Sequence, residues 1–331
     1  MKKKWIRGGI FLCLVLLLLS NLNRILCVKS PHGVDQTRYL YVQPKNKIDV
    51  LFLGSSHVHC NVNTQLLWDE YGMAAYLMTG AEQPLWNSYY NLKEALKTQK
   101  PKLVVLDMFC PSRFYDDFQP GWADENLEGM RISLNKLEAV YTSVQEEQSH
   151  FFLGFTEYHS RYDQLTTEDF QNFVWNRKTQ ERWKGYTPLN RHAELTEPDM
   201  SHVTTSHEMT EKSKEYFEKI VELTKKEGIA LALISGPYLL EERDQEVYNS
   251  IGQLAEKDGL LFWNTNTPAH YREMGLDFST DYADHAHLNE AGGAKYTAYL
   301  GKWLSQNYSF PDRRGQKGYE SWENQLMKSG E

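Results

Sequence analysis

The chain has 331 residues, of which 41% are hydrophobic and 13% aromatic, with nine Trp and twenty Tyr; this is enough apolar material for one large core and excludes disorder except at the ends. Its formal charge is −8, and setting aside the four positive charges of Lys2, Lys3, Lys4 and Arg7 leaves −12 on residues 8–331, which speaks against nucleic acid as a partner. Four cysteines, at 13, 27, 60 and 110, show no C-x-x-C spacing, so neither a disulfide framework nor a zinc ribbon is expected.

The first element is an uncharged run from Gly8 to Asn23 behind the basic cluster. It approaches the length of about 20 residues that a spanning helix needs, and Arg24 can snorkel to the interface while Ile25, Leu26 and Val28 extend the span. Ser20-Asn21-Leu22-Asn23-Arg24 offers no A-x-A-like cleavage stretch, so residues 1–28 read as an uncleaved signal anchor with a cytoplasmic N-terminus and an exported C-terminal part. Residues 29–46, with Pro31, Gly33 and Pro44, show no periodicity and read as a spacer.

The ordered domain is expected over 47–306. Ile48–Leu53 reads as a buried strand ending at the turn Gly54-Ser55-Ser56-His57, and a helix follows through Thr64–Trp68. Ala74–Thr79 is a second strand ending at Gly80, a helix spans about Leu85–Thr98, and Lys102–Asp107 is a third strand. This βαβαβ order predicts a parallel, doubly wound sheet with helices on both faces. The alternation resumes with a helix over about His207–Lys226, a strand at Ile229–Ile234, a helix near Glu241–Lys257, a strand at Leu260–Trp263 and a last helix over about Glu290–Ser305. Residues 112–206 read as an aromatic-rich insertion. Its Trp122, Trp175 and Trp183 either cap the active site, stack on sugar rings or pack the insertion's own small core. Residues 307–331 read as a polar, frayed tail. Cys60 and Cys110 are read as buried thiols, with pairing left open.

Two constellations carry chemistry. A serine in the strand-to-helix turn at Ser56 lies at the carboxyl edge of the sheet, where ligands bind, although serine at such a turn also serves simply as an N-cap. The second is Asp284-His285-Ala286-His287-Leu288-Asn289, directly before the final helix. An Asp three residues ahead of a His can reach the imidazole within one loop and leave its other nitrogen for a serine. His285 is the rival base, but it neighbours Asp284, and adjacent side chains in an extended loop diverge. His57, His59, Cys60, His285 and His287 lack the paired local spacing of a zinc site, so neither a metal nor another cofactor is expected.

Phe52-Leu53-Gly54-Ser55-Ser56-His57 and Asp284-His285-Ala286-His287-Leu288-Asn289 with Gly292 together resemble the blocks of the SGNH/GDSL hydrolase superfamily. The likeness runs from the first strand to the last helix. It implies a flavodoxin-like three-layer fold, with Ser56 as nucleophile, Asp284 and His287 as its acid and base partners, and the backbone amides of Ser56 and Gly80 as an oxyanion hole. Ser55, where the family often has Asp, is a site neighbour with His57 and His285. The chain departs from the family after strand three, where Asp107-Met108-Phe109-Cys110 stands in place of an Asn-bearing block. That moves the likeness toward divergent membrane-anchored members, such as the teichoic-acid D-alanylation protein DltD and the alginate acetylation proteins. The function expected is an extracytoplasmic esterase or O-acyltransferase acting on acyl esters, acetyl esters above all, of an envelope or exported polysaccharide. The alternative is a non-catalytic, membrane-anchored accessory protein that keeps the fold and assists a partner acyltransferase in the membrane.

Overall fold

The computed structural model describes residues 2–26, 32–114, 116–152, 159–171 and 183–323. Helix α1 (Lys2–Leu26) and the short helix α2 (Val34–Leu40) precede five strands, β1 (Val50–Gly54), β2 (Ala75–Thr79), β3 (Leu103–Asp107), β4 (Ala230–Ser235) and β5 (Leu261–Asn264). The strands form one all-parallel sheet in the order β2-β1-β3-β4-β5. All five expected strands are present, each starting one or two residues later than the apolar runs suggest.

The register explains why these runs are almost wholly apolar. Leu51, Leu53, Val104, Leu106 and Leu233 point into one core with Trp86, Leu92, Phe217, Ile220 and Val247. The alternate residues Val50, Phe52, Val105 and Ala232 point into a second core with Val58, Leu67, Tyr271, Tyr296 and Leu300. Both faces of a parallel sheet are thus covered, which favours continuous hydrophobic strands. The first core is closed by α5 (Leu85–Ala95) and the helices Glu211–Glu227 and Glu242–Asp258; the second by α3 (Ser56–Asn61), α4 (Thr64–Tyr71) and the helices Pro268–Met274 and Glu290–Asn307. From β1 the chain steps outward to β2 and then crosses back to β3 on the other side. That reversal opens a crevice at the carboxyl end of β1, where an α/β sheet places its ligand.

The helix expected to run on from the Ser56 turn is broken at Val62. Asn63 accepts from the amides of Gln65 and Leu66 and starts α4 as a separate helix. Part of the expected spacer is not a spacer at all: α2 is largely buried. Its Gln36 donates to Gly185 O (2.9 Å) and accepts from the amide and hydroxyl of Thr79 (3.2 and 3.1 Å), while Tyr76 Oη donates to Gln36 O (2.6 Å). The tail up to residue 323 is likewise packed. Arg313 forks onto Asp49 (2.7 and 2.8 Å), and the fully buried Trp322 donates from Nε1 to Ala75 O (3.0 Å) with Lys184 Nζ 4.1 Å above its ring. Residues 324–331 and Trp175 lie outside the described residues.

Within the insertion, Trp122 is 43% exposed and Trp183 packs against Tyr186. Cys60 and Cys110 are buried free thiols, and Cys13 is exposed. Helix α1 holds one span, Lys3–Asn23, that is long and apolar enough to cross a membrane, with Ile10, Phe11 and Leu17 among its exposed side chains.

Trp322→Ala in the full chain should lower stability by about 3–5 kcal/mol, the cost of emptying a buried aromatic site and orphaning a carbonyl. Urea unfolding in detergent micelles measures it. A change near zero would mean that the C-terminal segment is loosely attached.

Candidate active site

β1 ends at Gly54, whose φ of 154° and surroundings both require glycine: a Cβ there would lie 2.7 Å from Asp107 Cβ and 2.8 Å from a methyl of Val58. The next residue, Ser55, is fully buried and caps α3, accepting from His57 N (3.3 Å). Ser56 therefore opens α3 at the crevice, with its side chain partly accessible.

The partner loop is shaped by its own backbone. Tyr282, fully buried, bridges antiparallel to both Leu288 and Ala193, and Ala283 N donates to His287 O (2.9 Å). Inside this tight loop Asp284 Oδ1 accepts from Ala286 N (3.0 Å), His287 N (3.1 Å) and His287 Nδ1 (2.8 Å). Its second oxygen accepts from Arg191 Nη2 (2.8 Å). Burial alone would raise the Asp284 pKa, but the His287 bond and charge, the Ala286 amide and Arg191 outweigh it and bring the carboxyl down to about 2. An ionised carboxylate only accepts, so His287 Nδ1 carries the proton and Nε2 presents a lone pair. That nitrogen sits 2.9 Å from Ser56 Oγ, which donates to it.

The structure thus brings Ser56, His287 and Asp284 into one hydrogen-bonded line. The rival His285 is exposed on the outside of the loop. His57 points the other way, buried at 2% exposure, with Nδ1 3.2 Å from Asp107 Oδ1 and its ring stacked 4.6 Å from Phe109. Asp107, which stands where the resembling family carries Asn, serves this pair and not the crevice. Gly80 follows directly on β2, whose Thr79 is in register with Gly54. It is pressed by Asn126, whose Oδ1 lies 2.4 Å from where a Gly80 Cβ would be. Asn126 Nδ2 donates to Ala81 O (3.0 Å) and Trp122 O (2.9 Å).

Further residues border the site, and among them Asn61 carries no sequence signal. Asn61 Oδ1, at the end of α3, accepts from Leu288 N (2.9 Å) and so ties the histidine loop to the serine helix. His59, buried, faces Thr79 Oγ1 (3.2 Å) and stacks on His32 at 4.6 Å. Burial holds the His59 pKa well below its ordinary value and lowers that of His32. Burial likewise pushes the Cys60 thiol up to about 12, which leaves it protonated and inert. Among the described residues no three His, Cys, Asp or Glu side chains are grouped to hold a metal ion.

No protein-family model matches this chain, and no curated protein does. Among solved structures, the chain is similar to a candidate acylhydrolase from Bacteroides fragilis NCTC 9343, with 11% identity, 85% of this chain and 99% of that one covered, and a TM-score of 0.41. It is also similar to an acetyl-xylooligosaccharide esterase from Geobacillus stearothermophilus, in two mutant forms. One has 12% identity, 81% and 97% coverage and a TM-score of 0.40; the other has 11% identity, the same coverage and a TM-score of 0.39.

The depressed Asp284 pKa fixes the sign of a pH effect. Stability contributed by its ionised form is present above the unfolded value near 4 and fades as pH falls toward about 2. The difference in thermal midpoint between wild type and Asp284→Asn should therefore shrink as pH falls below about pH 4. Growth of that difference between about pH 4 and pH 2 would contradict the assignment.

Proposed function

We propose that this chain is a serine esterase or O-acyltransferase of SGNH/GDSL type, membrane-anchored through α1 and working outside the cytoplasm on acyl esters of an envelope or exported polysaccharide. The observation that carries the reading is the line from Asp284 through His287 to Ser56, with contacts of 2.8 and 2.9 Å. A protonated Nδ1 on an ionised carboxylate and a hydroxyl donating to Nε2 are what a general base needs before it activates a nucleophile.

In the proposed reaction Ser56 Oγ attacks the ester carbonyl as His287 Nε2 takes its proton. Asp284 stays ionised and stabilises the imidazolium that forms. The backbone amides of Ser56 and Gly80 face the developing oxyanion. The tetrahedral adduct collapses as His287 returns the proton to the leaving sugar oxygen, giving an acyl-serine and a free hydroxyl. In the esterase, water deprotonated by His287 then cleaves the acyl-serine; in the transferase, a carbohydrate hydroxyl does so. Carbohydrate as substrate is supported by the aromatic content of the insertion, and the extracytoplasmic setting by Lys2, Lys3, Lys4 and Arg7 ahead of the α1 span. The anchor and the altered third block move the likeness toward membrane-anchored members such as DltD and the alginate acetylation proteins.

A second reading has one specific observation in its favour. Directly after β3, Asp107 pairs with His57, and Asn126, the side-chain amide beside Gly80, commits both Nδ2 hydrogens to backbone carbonyls. An accessory protein that binds an envelope polymer or assists a membrane acyltransferase would tolerate such an incomplete hole.

The full chain in detergent micelles should be labelled by a fluorophosphonate and should hydrolyse an aryl acetate. Ser56→Ala and His287→Ala should each lose the label and lower kcat/KM by several orders of magnitude. Folded wild type inert to both reagents would favour the accessory reading.

A further inference from the structure

Arg191 comes from the insertion, yet its place beside the site is built in. The segment around it is pinned to the site on both sides by backbone hydrogen bonds: Thr187 N to His59 O (2.7 Å), Glu290 N to Leu189 O (2.9 Å), Ala193 N to Tyr282 O (2.8 Å) and Leu195 N to Phe278 O (2.9 Å). The guanidinium is held over the histidine loop with one N–H on Asp284 Oδ2 at 2.8 Å, while 66% of the Arg191 side chain faces solvent.

The bond to Asp284 does not account for a cation at this position. Asp284 Oδ1 is already fixed by three donors, two of them backbone amides, and an ion pair this exposed contributes little to stability. For the proton transfer it works in the wrong direction, because a positive charge beside Asp284 offsets the negative charge that stabilises the imidazolium. What the position does offer is the rest of the fork. A guanidinium has five N–H donors, and it suits planar, two-point recognition of a carboxylate or phosphate. A chain of formal charge −8 otherwise repels an anionic polymer, so recognition of one needs such a local cation.

We propose that Arg191 is a specificity-determining residue that binds an oxyanion, carboxylate or phosphate, close to the reacting ester, so that the substrates are acyl esters of acidic glycans. This rests on the reading of Ser56 as the nucleophile. Arg191 binds the substrate's anionic group with the N–H groups not used on Asp284, and a sugar lacking that group loses those bonds.

Equilibrium binding tests the idea without turnover. The full chain carrying Ser56→Ala, in detergent micelles, is titrated with three O-acetylated probes: methyl glucoside, methyl glucuronoside and methyl glucoside 6-phosphate. At least one anionic probe should bind about tenfold more tightly than the neutral one, the factor that a charge-assisted hydrogen bond at an exposed site supplies. The carboxylate and phosphate arms separate the two sources of charge. Adding Arg191→Gln should bring the three affinities to near equality, whereas Arg191→Lys should keep part of the preference, since charge survives and the fork does not. Equal binding of all three probes, or a preference that persists in Arg191→Gln, would overturn the proposal. Failure of wild type to label with a fluorophosphonate overturns the nucleophile reading instead, while the binding contrast still reports on Arg191.

Discussion

The hydrogen bond from Leu288 N to Asn61 Oδ1 decides whether this site exists. Ser56 and His287 are 231 residues apart, and each stands on its own local frame, one in the first turn of α3 and the other in a loop closed by Ala283 and Tyr282. Each frame is rigid by itself but silent about the other. Asn61, fully buried one and a half turns beyond Ser56, joins them at 2.9 Å. Thr297 adds a second tie, donating to Asn61 O (3.1 Å) from the last helix. Where reacting atoms must be held to a fraction of an ångström, such supporting bonds matter as much as the groups that react.

Below the crevice the fold accepts a cost. His57 and Asp107 form a buried pair, and His57 Nε2, Asp107 Oδ2 and Tyr296 Oη have no protein partner among the described residues. Groups of this kind cost free energy in a low-dielectric interior. They lie where the turn after β1, the end of β3 and the last helix converge, so the least apolar part of the core is the part that positions Ser56. The wrapping segments offset some of this cost elsewhere. Helix α2, the strap 183–195 and residues 312–323 all pack onto the β2 side of the sheet or the histidine loop, through Gln36, Lys184, Arg313 and Trp322.

The strap gives the insertion a definite task. It leaves after β3 and returns along the rim of the site, so the segment with no strand signal of its own supplies Arg191 and Thr187, and the stretch before it supplies Asn126 beside Gly80. Loops carried on a rigid scaffold are where binding specificity is commonly built. The strap also completes the sheet edge, where Leu77 N of β2 donates to Lys184 O (2.9 Å).

By itself the sequence determined the elements that depend on near neighbours. Apolar runs bounded by turn residues marked all five strands, and their alternation with helices implied a parallel sheet. The turn at Gly54–His57 and the Asp284–His287 spacing marked Ser56, Asp284 and His287, which the fold joins by hydrogen bonds, because each is a local feature. Only the tertiary structure decided what depends on distant partners. Helix α2 was hidden because Gln36 and Thr37 are buried polar residues, and Gln36 is satisfied by Thr79 and Gly185. The tail was hidden because Trp322 answers to Ala75 and Arg313 to Asp49. Asn61, Asn126 and Arg191 look like ordinary surface residues in the chain, and they acquire a role only when the fold brings a carbonyl, an amide or a carboxylate to them. Periodicity records burial against a sheet or a helix, but a hydrogen bond across a hundred residues leaves no period to read.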